Sequence, residues 1–240
     1  MTPRMSEPEY GVLEEPRTVS EAIYRKLRSD IIWGILAPGA PLRSDELRRN
    51  YDVGISPLRE ALSRLASERL VISSGQRGFR VSPIGDAAVV DITQTRLVIE
   101  CAALERSIAE GDVAWETRVV ATHHALSRVP FPTSQGADAE VWTRRHKAFH
   151  MALLSACHSE WQIHLADLLF DQAERFRILR AVKTAAAGKR RDPAKEHQEI
   201  VDAVLDRDVE RSVAALRSHY RVTMEMALEA LAPSAEEAAQ

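Results

Sequence analysis

Residues 44–82 restrict the fold more than any other stretch of the chain. SDELRRNY is a short helical segment: Ser44 can cap it, and Asp45 and Glu46 lie in its first turn, where the helix dipole favours acids. Gly54 makes a turn, and a second helix follows at once. Ser56 suits its N-cap and Pro57 its first position, because the N–H that proline lacks would have no partner there. Leu58, Ala61, Leu62 and Leu65 recur on one face, while Arg59, Glu60, Ser63 and Arg64 occupy the other. Two short helices joined by a tight turn, the second with a polar outer face, describe a helix-turn-helix. Its second helix would enter a major groove with its first turns at the bases. Leu70–Ser73 and Phe79–Ser82 read as strands flanking the glycine-rich tip SGQRG. They add a wing and bring Gln76 and Arg77 within reach of phosphate or a minor groove.

A helix precedes this unit. Residues 17–35 put Val19, Ile23, Leu27, Ile31 and Ile32 on one face, with Thr18 or Ser20 as the cap. Gly34 ends it, and Pro38-Gly39 marks a turn. Charge divides along the chain. Residues 17–85 carry twelve Lys/Arg against seven Asp/Glu, and residues 86–240 carry nineteen against twenty-four. A basic segment followed by an acidic one suggests two domains with different partners.

Residues 86–232 read as helix throughout, over 86–110, 113–128, 138–156, 160–183, 193–206 and 208–232, with breaks at VPFPTSQGAD and AAAGKRRDP. The expected fold is mainly α: a winged helix-turn-helix over 17–85 with a small β wing, then an all-α six-helix bundle over 86–232. Residues 1–16 form an arm or a disordered segment, and 233–240 a disordered tail. Cys101 and Cys157 match no zinc or redox spacing and read as reduced core residues. The N-terminus is polar and acidic, unlike a signal peptide. No apolar run approaches the ~18 residues that span a membrane. A cytoplasmic protein with no membrane partner is expected.

The stretch HKAFHMAL places His146 and His150 four residues apart, on one helical face. His197 lies in KEHQEIVDAVLDRD and His219 in ALRSHYRVTMEMAL. Four histidines from three helices can converge inside a bundle, and imidazole suits Zn²⁺, Ni²⁺, Cu²⁺ and Fe. They can equally be four unrelated core or surface residues, since the spacing alone is a weak signal. Lys147 stands where a metalloprotease HExxH site needs its glutamate, and no other carboxylate is compellingly placed for catalysis, so an enzyme is not expected. His123, His124, His158 and His164 show no ligand spacing. Arg96 in TQTRLVIE and Arg177 in AERFRILR can each grip a carboxylate bidentately, although Arg96 also has Glu100 one turn on.

The segments IIWGILAPGAPL, SPLREALSRLASERLV and RGFRV closely resemble the winged helix-turn-helix of the GntR family of bacterial transcription regulators. The family pattern at the turn usually reads Val-Ser-Arg-Thr-Pro-Val-Arg-Glu-Ala-Leu. Here Arg59 keeps its second arginine, and Ile55 replaces the first. The resemblance implies DNA contacts at Arg43, Ser56, Pro57, Arg59, Gln76, Arg77 and Gly78, with Ile55 free to touch a thymine methyl. The helical part resembles the FCD effector domain of the FadR-type subfamily. Many such domains hold a divalent metal with an Asp-x-x-x-His pair and two later histidines. His150, His197 and His219 match the histidine positions, and His146 stands where aspartate is usual.

This likeness covers about residues 17–232 and implies a divalent transition metal, Zn²⁺ first, with Ni, Fe or Cu as alternatives. It implies a small carboxylate effector, with Arg96 and Arg177 beside it, and a homodimer on a palindromic double-stranded operator, acting as a repressor of metabolic genes. Either the site is all-histidine, or His146 stands behind the ligands and only three remain; four neutral imidazoles would leave the metal a full +2 charge, which favours an anionic effector. The alternatives are a DNA-binding regulator whose metal is purely structural, or a helical metal-dependent enzyme.

Overall fold

The computed structural model describes residues 16–73, 78–132, 137–186 and 191–232. The expected arm, except Pro16, and the expected tail lie outside these residues. So do Gln76 and Arg77 at the wing tip.

Helix α1 (Val19–Ile32) starts at Thr18, whose hydroxyl accepts a 3.1 Å bond from the Glu21 N–H. Its apolar stripe of Ile23, Leu27 and Ile31 is buried as the period requires, but Val19 is exposed. Helices α2 (Ser44–Tyr51) and α3 (Ile55–Ser67) follow. Their caps differ from expectation. Arg43 and Gly54 are the N-cap residues, and neither supplies a side-chain bond. Ser44 and Ser56 therefore lie inside the first turns. Pro57 is the third residue of α3 and still costs nothing, because the first four N–H groups of a helix have no intrahelical partner.

A sheet of order β1-β3-β2 closes this part, with β1 at Pro41–Leu42, β2 at Val71–Ser73 and β3 at Phe79–Val81. Both pairings are antiparallel, and Val71 faces Val81 across the hairpin. Strand β1 falls in a stretch that reads as turn. It pairs because the Ala40 carbonyl accepts a 2.9 Å bond from the Val81 N–H and the Gly39 N–H donates back to Val81. Leu27, Leu58, Leu62, Leu65, Leu70 and Val81 form the core here.

Six helices complete the described chain: α4 (Asp86–Glu110), α5 (Val113–Ser127), α6 (Ala137–Leu154), α7 (Glu160–Ala186), α8 (Pro193–Leu205) and α9 (Val209–Leu231). Asp112, Asp192 and Asp208 cap α5, α8 and α9 through side-chain bonds to the first-turn N–H groups. Leu104, Val119, Phe149, Leu153, Ile200 and Leu216 are fully or almost fully buried between these helices. The Trp115 indole N–H donates to the Ala152 carbonyl at 3.0 Å and ties α5 to α6. Cys101 and Cys157 are buried and free. No described helix is long and apolar enough to cross a membrane.

Helix α7 also holds the winged part. Asp171 pairs with Arg28 of α1, Gln172 donates to the Glu68 carbonyl at 2.6 Å, and Arg175 donates to the Ser82 carbonyl. Ile32 and Trp33 pack against Ala139 and Ile178 alongside these bonds.

Candidate metal centre and DNA-facing surface

The period of α6 brings His146 and His150 to one inward face. Helix α8 contributes His197 and α9 contributes His219. All four rings are buried, and one ring nitrogen from each lies within 4.8 Å of the others. The Nε2 atoms of His146 and His150 are 3.0 Å apart. Tetrahedral zinc with nitrogen ligands at 2.0–2.1 Å separates those ligands by about 3.3 Å, so the cluster has the right size.

The chemistry of the cluster agrees. Burial holds every one of these imidazoles below its ordinary pKa, His146 at about 3, His219 at about 4, and His150 and His197 well below the usual value. Neutral imidazole is the ligating form. His197 Nε2 and His146 Nδ1 are buried without a hydrogen-bond partner. The orphaned His197 nitrogen, within a group of four buried histidines, is consistent with a bound cation. The residues His146, His150, His197 and His219 fit a divalent metal and could hold one.

Behind the rings stand three glutamates, each gripped by an arginine. Glu174 Oε2 lies 3.8 Å from His146 Nδ1 and accepts a 2.6 Å bond from Arg177 Nε. Glu196 Oε2 lies 2.7 Å from His219 Nδ1, and its other oxygen accepts from Arg191 Nε at 2.6 Å. Glu100 reaches His150 indirectly: Tyr220 donates to Glu100, and its oxygen lies 3.1 Å from His150 Nδ1. Arg96 Nε donates to Glu100 at 2.6 Å. The Arg177 guanidinium and the His146 ring hold the Glu174 carboxyl well below the usual carboxylate range despite its burial.

A narrow cleft opens beside the histidines. Arg96, Phe131, Trp142, Arg177, Arg191 and Tyr220 are among its lining residues. Arg96 and Arg177 thus both reach the cleft, but each already has a carboxylate partner. Arg177 retains one buried, unpartnered donor, Nη1, and its guanidinium lies 4.4 Å over the Trp142 ring. Sequence reading missed Arg191, Glu174, Glu196 and Tyr220. Only the adjacency of Glu196 to His197 and of Tyr220 to His219 hinted at any of them. Arg191 lies in the connection between α7 and α8, where no periodicity exists to mark it.

On the winged part, Arg59, Ser56 and Ile55 are exposed at the start of α3, and Pro57 is half-buried. Arg59 makes no ion pair among the described residues. Arg43 is exposed too, but lies 3.4 Å from Glu46, which offsets its charge. Gly78 opens β3 at φ +86°, a left-handed conformation that favours glycine. Arg80, one strand residue further on, is also exposed and was not singled out from the sequence.

Comparison with known proteins agrees with this layout. Residues 19–81 match the family of bacterial regulatory proteins called gntR, and residues 91–222 match the FCD domain. The chain is 38% identical over 205 residues to the HTH-type transcriptional regulator BphR of Paraburkholderia xenovorans, covering 85% of this chain and 82% of the relative. It is 34% identical over 210 residues to the HTH-type transcriptional repressor GlaR of Escherichia coli, covering 87% and 96%. A solved transcriptional regulator GntR from a Rhodococcus species shares the fold at a TM-score of 0.67 and 23% identity, over 88% of this chain and 97% of the other. A helix-turn-helix with a wing, an all-helical bundle behind it and two family matches in the same order leave one assignment: the chain belongs to the GntR family of DNA-binding transcriptional regulators, with a C-terminal FCD domain.

Proposed function

We propose that this DNA-binding regulator is a metabolite-responsive repressor whose helical part, 86–232, holds a divalent transition metal and binds a small carboxylate beside it. The observation that carries the proposal is the buried four-histidine cluster opening onto an arginine-lined cleft in a chain that also bears a winged helix-turn-helix. The metal supplies positive charge toward an anion, and Arg177 Nη1 supplies a fixed donor on the cleft wall. The name of the GlaR relative supports repression. Arg43, Ser56, Pro57, Arg59, Gln76, Arg77 and Gly78 meet the operator. One such unit makes too small an interface for tight specific binding, so two copies bind a palindrome as a homodimer, in the cytoplasm with the DNA. The effector acts by binding more tightly to one placement of the two winged parts than to the other.

A second reading has a specific observation behind it. Four buried protein nitrogens can complete a tetrahedral site, and closed zinc sites are structural. A thermal-shift screen separates the two. Zinc-loaded and chelator-stripped protein are compared against small hydroxy acids, dicarboxylates and sugar acids. A ligand at 100 times its dissociation constant adds about 2.7 kcal/mol, or roughly 5–10 °C for a chain of this size. A shift with an acid only when zinc is present supports the effector site. A large loss on stripping with no response to any acid leaves the metal structural.

A further inference from the structure

Among the described residues the candidate metal position offers four histidines and no carboxylate. We infer that Glu174 and Glu196 act from behind the rings: they are positioning residues that hold the Nδ1–H groups of His146 and His219 and so aim both Nε2 atoms at one cation. The inference rests on the metal reading proposed above and goes beyond it, naming the residues on which affinity depends.

The geometry argues for each in turn. A histidine that ligates through Nε2 must place its Nδ1 proton somewhere, and a buried N–H left unpaired costs about 1–3 kcal/mol. His219 satisfies that need already, with Glu196 Oε2 at 2.7 Å. His146 does not: its Nδ1 is buried and unpartnered, 3.8 Å from Glu174 Oε2. A shift of about 1 Å brings that pair to hydrogen-bond distance. Glu174 is ready to accept. Its Oε1 takes the Thr143 hydroxyl at 2.9 Å and its Oε2 takes Arg177 Nε, which leaves an Oε2 lone pair for the ring. Ligating histidines usually rest on such a carboxylate, which fixes the tautomer and raises the basicity of the ligand nitrogen.

Charge supports the arrangement. Arg177 and Arg191 keep Glu174 and Glu196 ionised within the bundle, so negative charge sits one ring away from the metal and no coordination position is used for it. An aspartate at position 146 would bring its own charge close to Glu174, where two carboxylates repel. Glu174 therefore helps a histidine at 146 and hinders an aspartate there.

Zinc affinity, measured by competition with a chromogenic chelator on the full chain, tests this through a double-mutant cycle. In the unchanged background Glu174→Gln and Glu196→Gln should each weaken zinc by about 10–100-fold. In a His146→Asp background Glu174→Gln should cost less than about threefold or tighten binding, while Glu196→Gln should still cost its full factor. A merely structural glutamate loses the same factor in both backgrounds, and equal losses at Glu174 overturn its role. Unchanged affinity in both single variants overturns the inference while the metal reading survives. Failure of the unchanged chain to bind zinc removes the metal reading itself. Should Glu174→Gln not fold, Glu174→Asp keeps a partner for Arg177 and withdraws the oxygen from His146. It should lose zinc by at least tenfold, and full affinity there counts against the role.

Discussion

Arg59 sits on the outer face of α3, exposed and with no ion pair among the described residues. A charge held that way is available to a base or phosphate at little desolvation cost. Arg59→Ala should abolish specific operator binding in a gel-shift assay while dimerisation and zinc content stay unchanged. Unaltered affinity would remove α3 as the reading helix. The histidines predict a pH dependence at the same scale. Their folded pKa values lie below the unfolded value of about 6.5, so the unfolded chain binds more protons below that pH. The stability of stripped protein is then complete above about pH 6.5 and falls as the pH drops below it, His219 contributing down to about pH 4 and His146 down to about pH 3. The slope is about 1.4 kcal/mol per pH unit for each imidazole that charges on unfolding. Urea midpoints across that range check it, and a flat profile would mean that the rings are not buried neutral. Arg96 shows how a residue can be legible in type but not in role. Its i,i+4 partner Glu100 was visible in the sequence, whereas the Tyr220 and His150 that continue the chain were not.

Helix ends and close approaches decide the elements. Asp112 caps α5, and Gly111 before it lies so close to the bundle that an added Cβ would stand 2.2 Å from Trp115 Cε3 and 2.5 Å from the Ser107 carbonyl oxygen. Both neighbours are fixed, Trp115 by its bond to Ala152 and Ser107 by the helix. Gly111→Ala should cost about 1–3 kcal/mol by overpacking, read as a lowered urea midpoint. A loss below about 0.5 kcal/mol would mean that α4 and α5 are free to part. Apolar periodicity and Asp caps are local signals, so the long helices were legible within a few residues of their ends. Strand β1 was not, because two residues carry no period and its pairing depends on β3 returning beside it.

For the whole molecule, α7 matters most, because the same turns present two faces to different parts. Phe170, Glu174 and Arg177 line the cleft beside the histidines, and Asp171, Gln172 and Arg175 hold the winged part. Burial lowers the Arg175 guanidinium toward about 10. It remains charged near neutral pH and its bond to the Ser82 carbonyl is buried, so its loss leaves an acceptor without a partner. Arg175→Met together with Gln172→Leu should loosen that junction. Amides of β3 and the end of α3 should then exchange faster with solvent while those around Phe149 keep their protection. Uniform acceleration throughout the chain would instead mean that the two parts unfold as one unit.

The helix-turn-helix, the wing and the six long helices followed from the sequence, because apolar period, caps and turn residues act over a few neighbouring positions. His146, His150, His197 and His219 were legible as types at suggestive spacings, with the family resemblance deciding among the alternatives. Which carboxylate stands behind which ring was not. Glu174 and His146 are 28 residues apart and Glu196 and His219 are 23 apart, and they meet only because of how α6, α7, α8 and α9 cross. Crossing angles are set by side-chain ridges packing into grooves over whole helices, a property of the assembled bundle that no local spacing encodes. The same holds for α7. A sequence period shows that a helix has faces, but only the tertiary structure decides what each face meets.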